Sequence, residues 1–321
     1  MHPAIAALRG TNTPQRRAIN QTKEAMEEAH KAWMQRADIC QVREELIRYG
    51  SGADLEACEE LKSLTRDHKR AAAFSEGLVG STLGVLKTHP LGETPFRFKV
   101  SKGLATLQVL QASGATLSLL AYEPLEDAQP QTSALFSDRD VHDMVVSGCA
   151  HGAVHTLDQA GAVSSRPIRL AAGDSLATTA RISVRHIVRV ERTMLILQLT
   201  REPKRPKPVR EIALDTGVEL RTASGDKSAS QAVMALSVLG ALRDFGALDV
   251  MHATALNRDE DLDVRWEAVR QTLGLGPLRG LEVLDTLARR VIDPLSAPAL
   301  ALKNQLIATQ PDLRALWKEG V

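Results

Sequence analysis

The chain is poor in aromatic residues: Phe, Trp and Tyr together make up 3% of its 321 residues. So few stacking platforms count against single-stranded nucleic-acid binding, in which bases lie on aromatic faces. A surplus of charge is missing too, since 40 basic residues face 39 acidic ones, for a net charge of +1. No global field draws such a chain to DNA or to anionic lipid. Apolar runs stay well short of a membrane span. In the opening segment, Met1 to Gly10, the apolar run is too short for a signal peptide, so the expected location is the cytoplasm. Cysteine is scarce. Cys40, Cys58 and Cys149 are odd in number and far apart, which excludes a disulfide framework and leaves them as reduced thiols.

Signs of nucleophilic catalysis are equally thin. No Gly-x-Ser-x-Gly elbow occurs, and Cys149 lies in strand-like sequence rather than at a helix start, where a thiolate would be stabilised. The glycines between Gly77 and Gly84 lack the Lys-Ser/Thr ending of a phosphate loop and read as part of a helix.

What is present is ordinary globular composition, 44% apolar and 25% charged, in a chain long enough for two or three domains. Residues 1–90 read as a helical hairpin. Thr13-Pro14 opens the first helix, because threonine caps free amides and proline at the first position forfeits no hydrogen bond. Ile19, Met26, Trp33, Cys40 and Ile47 then recur every seven residues and define one stripe. Packing within the chain and a coiled-coil homodimer both suit that stripe. A second helical stretch runs from about Asp54 to Lys87, with Leu55, Cys58, Leu61, Leu64, His68, Ala71 and Leu78 along one side.

After His89-Pro90 the period changes, and residues 91–226 read as β-rich. Leu104 to Ala112 and Ala115 to Tyr122 flank Ser113-Gly114 as two strands around a tight turn. Further strands are expected at 132–136, 141–146, 149–157, 168–171, 181–190, 193–201, 209–214 and 218–222. Short strands with no helical pattern between them indicate an antiparallel sandwich or barrel. Residues 227–321 return to helical spacing. There Leu239-Gly240 with Gly246 precedes Leu273-Gly274 with Gly280 by 34 residues. The segment from Asp263 to Arg270, Asp-Val-Arg-Trp-Glu-Ala-Val-Arg, resembles the second helix of HEAT-type repeats, and a plain helical bundle suits the pattern equally. The fold class is therefore α+β with segregated elements.

The densest chemistry lies between Cys149 and His155. On an extended strand Cys149, His151 and His155 share one face, and ligands at i and i+2 can reach one metal. His155 could join them only if the chain bends near Gly152, since four residues span about 13 Å. This arrangement resembles the first motif of cupins, small β-barrels that place His-x-His, a Glu and a Gly around a divalent metal. Cys149 stands at the first histidine, His151 at the second, His155 at the glutamate and Gly161 near the closing glycine. Gly173-Asp174 followed by His186 resembles the second motif, whose histidine completes the set, although the Pro-x-Gly before it is absent. The resemblance implies a cupin-like barrel, and cysteine with imidazole implies iron or zinc rather than magnesium.

Between Arg181 and Val190 the alternation puts Ile182, Val184, His186, Val188 and Val190 on an inward face and Arg181, Arg185 and Arg189 outward. The segment 201–210 is basic and proline-rich, as expected of a solvated connection between strands. The acidic run 259–263 reads as a helix start. These features point to a non-enzymatic binding or regulatory protein, with the C-terminal helices as a platform for a protein partner and a barrel that is structural or holds a ligand. The alternatives are a metal-dependent oxygenase or isomerase of cupin type using Cys149, His151, His155 and His186, and nucleic-acid binding through the basic loop.

Overall fold

The computed structural model describes residues 14–88, 94–125 and 131–309, with side chains from residue 20 onward. Met1 to Gly10, Thr13, the side chain of Ile19 and the His89-Pro90 boundary lie outside the described residues. The chain is α+β and divides into two compact units, Met1–Pro206 with Glu211–Leu220, and Lys207–Arg210 with Arg221–Val321. No helix among the described residues is long and apolar enough to cross a membrane.

The first unit opens with helices α1 (Pro14–Met34), α2 (Ala37–Gly50), α3 (Glu59–Arg66) and α4 (His68–Thr88). The seven-residue stripe does not run straight through. Met26 and Trp33 are buried, but after the break at Gln35 and Arg36 the buried positions are Ile39, Val42, Leu46 and Tyr49, while Ile47 is 43% exposed. Arg36 is extended, with φ −62° and ψ 138°, and its guanidinium grips Asp38 at 2.9 Å, so the helix restarts one residue out of phase. The second expected stretch is likewise divided. Asp67 leaves helical geometry and its carboxylate accepts from the Lys69 amide at 2.9 Å, ending α3 and capping α4.

Among the described residues ten strands follow: β1 (Arg97–Ser101), β2 (Leu104–Ala112), β3 (Ala115–Tyr122), β4 (Ser133–Phe136), β5 (Asp140–Leu157), β6 (Val163–Ala171), β7 (Ser175–Thr179), β8 (Ser183–Arg201), β9 (Val209–Ala213) and β10 (Glu219–Ala223). The β2–β3 turn has positive φ at both Ser113 and Gly114, the geometry that matches the twist of a two-residue hairpin. Seven strands form one sheet along the path β1-β2-β3-β8-β5-β6, with β7 also on β5; a smaller sheet runs β10-β9-β4. All pairings described for the large sheet are antiparallel.

Two pairs of short strands expected from the sequence are each one long strand. β5 spans 18 residues and β8 spans 19, and they pair along their length through four register irregularities between Val145 and Gly152. Gly148 has φ +81°, and a Cβ there would collide with the Thr193 carbonyl, so the bulge requires glycine. The turn signal at Ser147-Gly148 is thus a bend within a strand.

Alternation across the sheet separates two cores. Leu117, Leu119, Met144, Leu197 and Leu199 face the helices and join Trp33, Leu46, Leu61 and Phe74, while Leu120, Val145, Met194 and Ile196 face the interior of the curl with Ala150 and Leu170. Burial on both faces explains why 115–122 and 193–201 read as nearly continuous apolar runs.

The second unit contains α5 (Lys227–Ala241), α6 (Leu248–Leu256), α7 (Leu262–Leu275), α8 (Pro277–Arg289) and α9 (Ser296–Thr309). Asp226 caps α5 and Asp261 caps α7, in accord with reading the acidic run as a helix start. α5 and α7 end 34 residues apart, at 241 and 275, whereas α6 and α8 end 33 apart, at 256 and 289. Arg265, of the Asp-Val-Arg segment, is buried; it donates to Asp293 at 2.6 Å and to the Ala255 carbonyl at 3.1 Å, tying α7 to the end of α6 and to the turn after α8.

Two substitutions test these constraints by urea unfolding. Gly148→Ala, strained in φ and short of space, is expected to cost about 1–3 kcal/mol. Arg265→Ala removes the 2.6 Å partner of the Asp293 carboxylate, which is 0% exposed and keeps Arg290 at 3.7 Å and the Leu295 amide at 3.1 Å, and is expected to cost about 3 kcal/mol.

Candidate functional site

A strand of eighteen residues can bring distant positions together only by bending. Asp143 pairs with Gln198 and Val154 pairs with Arg185 along the β5–β8 ladder. Eleven residues of straight strand would separate Asp143 from Val154 by about 36 Å, yet Arg185 Nε donates to Asp143 Oδ2 at 2.8 Å. The bulges fold the strand pair so that its two halves face each other, and this ion pair spans the space between them.

Both partners are nearly out of solvent, at 7% exposure for the Arg185 side chain and 3% for Asp143. Gln198 Nε2 donates to the other Asp143 oxygen at 2.8 Å, and Arg185 Nη1 donates to the Tyr122 hydroxyl at 3.3 Å. The guanidinium also stands 5.5 Å from the Tyr122 ring centroid. Burial works against the arginine's charge, but Asp143 and the Tyr122 hydroxyl more than compensate and raise its pKa above the ordinary value.

Above this network lies a cavity of about 570 Å³. Arg139, Asp143, Arg185, His186, Gln198 and Glu211 supply its polar wall. Arg139 Nη2 holds Glu202 at 2.7 Å, and Glu211 accepts from the Ser133 hydroxyl at 2.7 Å. Two nitrogens of these side chains, Arg139 Nε and His186 Nδ1, are shielded from solvent and have no hydrogen-bond partner among the described residues. Burial, with the neighbouring His155 ring and the Arg185 charge, lowers the His186 pKa to about 4, so the imidazole is neutral at physiological pH.

The four residues expected to share a metal fall into two pairs. Glu191 is the unpaired residue of a bulge, since Ala150 faces Val190 and Cys149 faces Arg192. Its carboxylate accepts from Cys149 Sγ at 3.2 Å and bonds His151 Nε2 at 2.7 Å, with Arg169 at 3.4 Å. The Cys149 and His151 hydrogen bonds pull the Glu191 pKa down to about 2. His155 is buried instead against His186, ring centroids 4.8 Å apart, with Nδ1 on the Ser165 hydroxyl at 2.7 Å. Among the described residues no group of three or more His, Cys, Asp or Glu side chains is placed to hold one ion. Of the four, His186 alone lines the cavity.

The face expected for 181–190 needs correction. Arg185 points inward, whereas Ile182 and Val188 are 52% and 56% exposed. Gly152 faces Ile187 and His151 faces Arg189, so Val188 is bulged out and the alternation slips. Period-two reading also missed Asp143 and Gln198, whose partners are remote in sequence. The one local signal was a charged residue inside the apolar run 141–146.

The sequence matches no protein-family model and no curated protein. Solved structures with local similarity are cupin-fold proteins. A 7S globulin of Momordica charantia is 14% identical over 37% of this chain and 35% of its own, with a TM-score of 0.27. Oxalate decarboxylase of Lactobacillus farciminis, in a formate complex, is 17% identical over 34% and 31%, with a TM-score of 0.26. KdgF from Halomonas sp. is 16% identical over 34% of this chain and 88% of its own, with a TM-score of 0.25. The aligned part spans about a third of the length of the first two.

Two measurements test the site. Asp143→Asn leaves the Arg185 charge buried with a neutral partner, and chemical denaturation is expected to show a loss of about 3–5 kcal/mol, largely restored by the apolar pair Asp143→Leu with Arg185→Met. His186 has a folded pKa of about 4 against an ordinary 6.5. A depressed histidine favours the folded state above its unfolded pKa, and that contribution is lost as pH falls from about 6.5 through about 4. His186→Gln is expected to flatten the stability–pH curve in that window.

Proposed function

We propose that this chain is a small-molecule-binding protein whose site is the cavity above Asp143 and Arg185. The observation that carries this reading is the buried ion pair, with both Asp143 oxygens bonded, at the floor of an open cavity. Such a pair is no better for stability than packed apolar residues, so its placement at a cavity with a polar wall is what a recognition site needs. A barrel that holds a ligand, with or without cupin-type closure, is the architecture this reading uses.

A second reading, a metal-dependent enzyme of cupin type, draws on one observation: His186 is neutral at physiological pH and lines the cavity. It would take iron or zinc through Cys149, His151, His155 and His186 only if the two pairs, Cys149 with His151 and His155 with His186, converged on one ion. Elemental analysis of protein purified without added metal decides it: stoichiometric iron or zinc that disappears in a folded His151→Ala, His186→Ala variant would favour the enzyme. For the C-terminal helices, HEAT-like or simple bundle, the exposed row of Met234 and Val238 on α5 with Leu242 at its C-cap supports a protein partner.

The binding reading is tested by a thermal-shift and NMR screen of small polar molecules against the native chain and Thr178→Trp, which fills the cavity from β7. The expected result is a set of ligands that stabilise the native protein and lose their effect in the variant. A screen without hits, or hits indifferent to Thr178→Trp, would remove the cavity as the site.

A further inference from the structure

Helix α5 has no charged side chain between Ser228 and its C-cap, Leu242. One side of it packs into the core of the second unit through Ala229, Val233 and Leu236, and Ser237 bonds Glu267 of α7 at 2.9 Å. At 3.6 residues per turn, Met234, Val238 and Leu242 fall on the opposite side. They are 65%, 56% and 73% exposed, and Gln231, Ala235 and Ala241 are exposed beside them. A surface helix turns charge to water on the side away from its core, whereas a helix apolar on both sides has both sides covered.

Three features select a second copy of this chain as the cover. The first is charge: an uncharged face offers nothing to an acidic or basic partner, and it brings no like charges together when it meets itself. The second is register. An antiparallel pairing about a twofold axis at Val238 sets Val238 against its own counterpart, Met234 against Leu242 of the second copy and Ala235 against Ala241 of the second copy. Large side chains then meet large ones around the axis, the paired alanines let the helices approach, and the two helix dipoles oppose. The third is area. Six residues at these exposures leave on the order of 500 Å² per chain, so two copies cover about 1,000 Å², the lower limit for a specific interface.

Resting on the reading of the C-terminal helices as a platform for a protein partner, we propose that the partner is a second copy of this chain, paired through α5 in antiparallel register about Val238. An interface of this size makes a reversible dimer, with a dissociation constant on the order of micromolar.

The test is light scattering behind a sizing column, on the native chain from about 1 to about 200 μM. The native chain is expected to pass from monomer to dimer across that range. Val238→Glu sets two carboxylates face to face at the axis and is expected to stay monomeric with unchanged circular dichroism. Val238→Cys is expected to form a disulfide between copies, under mild oxidation, at least about tenfold faster than Met234→Cys, because Val238 alone meets its own counterpart. The native chain, with Cys40, Cys58 and Cys149 in place, is the control for background oxidation.

A dimer that persists in Val238→Glu pairs elsewhere and overturns the α5 assignment. Equal cross-linking of Val238→Cys and Met234→Cys overturns the register. A native chain that stays monomeric up to about 200 μM overturns self-pairing, and maleimide labelling of Val238→Cys then separates the two readings. A thiol that reacts like that of a free peptide leaves α5 open to a different protein, whereas a protected thiol shows the face covered within the chain and removes α5 as a platform. Val238→Cys, a small change at an exposed position, keeps self-pairing testable even if Val238→Glu does not fold.

Discussion

The ion pair between Asp143 and Arg185 sets the conditions for the rest of the first unit. Its partners lie on two strands that are paired with each other elsewhere, so a 2.8 Å contact between them exists only because the strand pair turns back on itself. Four register irregularities provide the turn, and Gly148 provides the backbone conformation that one of them needs. Once the strands curl, an interior exists, and the charge placed in it must be bonded on every side. Gln198 and Tyr122 meet that demand. The polar wall of the cavity is thus the same set of groups that makes a buried charge tolerable.

The bulges also decide what the histidines do. A straight β5 would array Cys149, His151 and His155 along one face. With Glu191 extruded from β8, its carboxylate takes up Cys149 and His151, and with the ladder slipping at Gly152, His155 turns to His186. Two local clusters replace one ligand set. His186 stays neutral because burial and its neighbours both oppose a second positive charge next to Arg185.

In the second unit one buried ion pair again links elements distant in sequence. Arg265 emerges from α7 and meets Asp293 beyond α8, and its remaining donor capacity goes to the backbone at the end of α6. The short Asp-Val-Arg segment drew notice as a pattern of residue types. Its physical role is to join α7 to the end of α6 and to the turn after α8, a role that depends on residue 293 as much as on the segment itself.

Read alone, the residues determined the α+β class, the succession of helical, strand and helical regions, the β2–β3 hairpin around Ser113-Gly114 and the acidic start of α7. Each rests on local physics: side-chain period, cap chemistry and turn geometry act over a few neighbouring residues. Tertiary structure alone decided that the strands expected on either side of Ser147-Gly148 are one, that Arg185 faces inward, that Cys149 and His151 part company with His155 and His186, and that Asp143, Gln198 and Arg185 meet. The reason is the same in every case. A bulge adds one residue to one strand and reverses every side chain after it, and whether it forms depends on the partner strand. A buried arginine is stable only opposite a carboxylate that the chain delivers from 42 residues away.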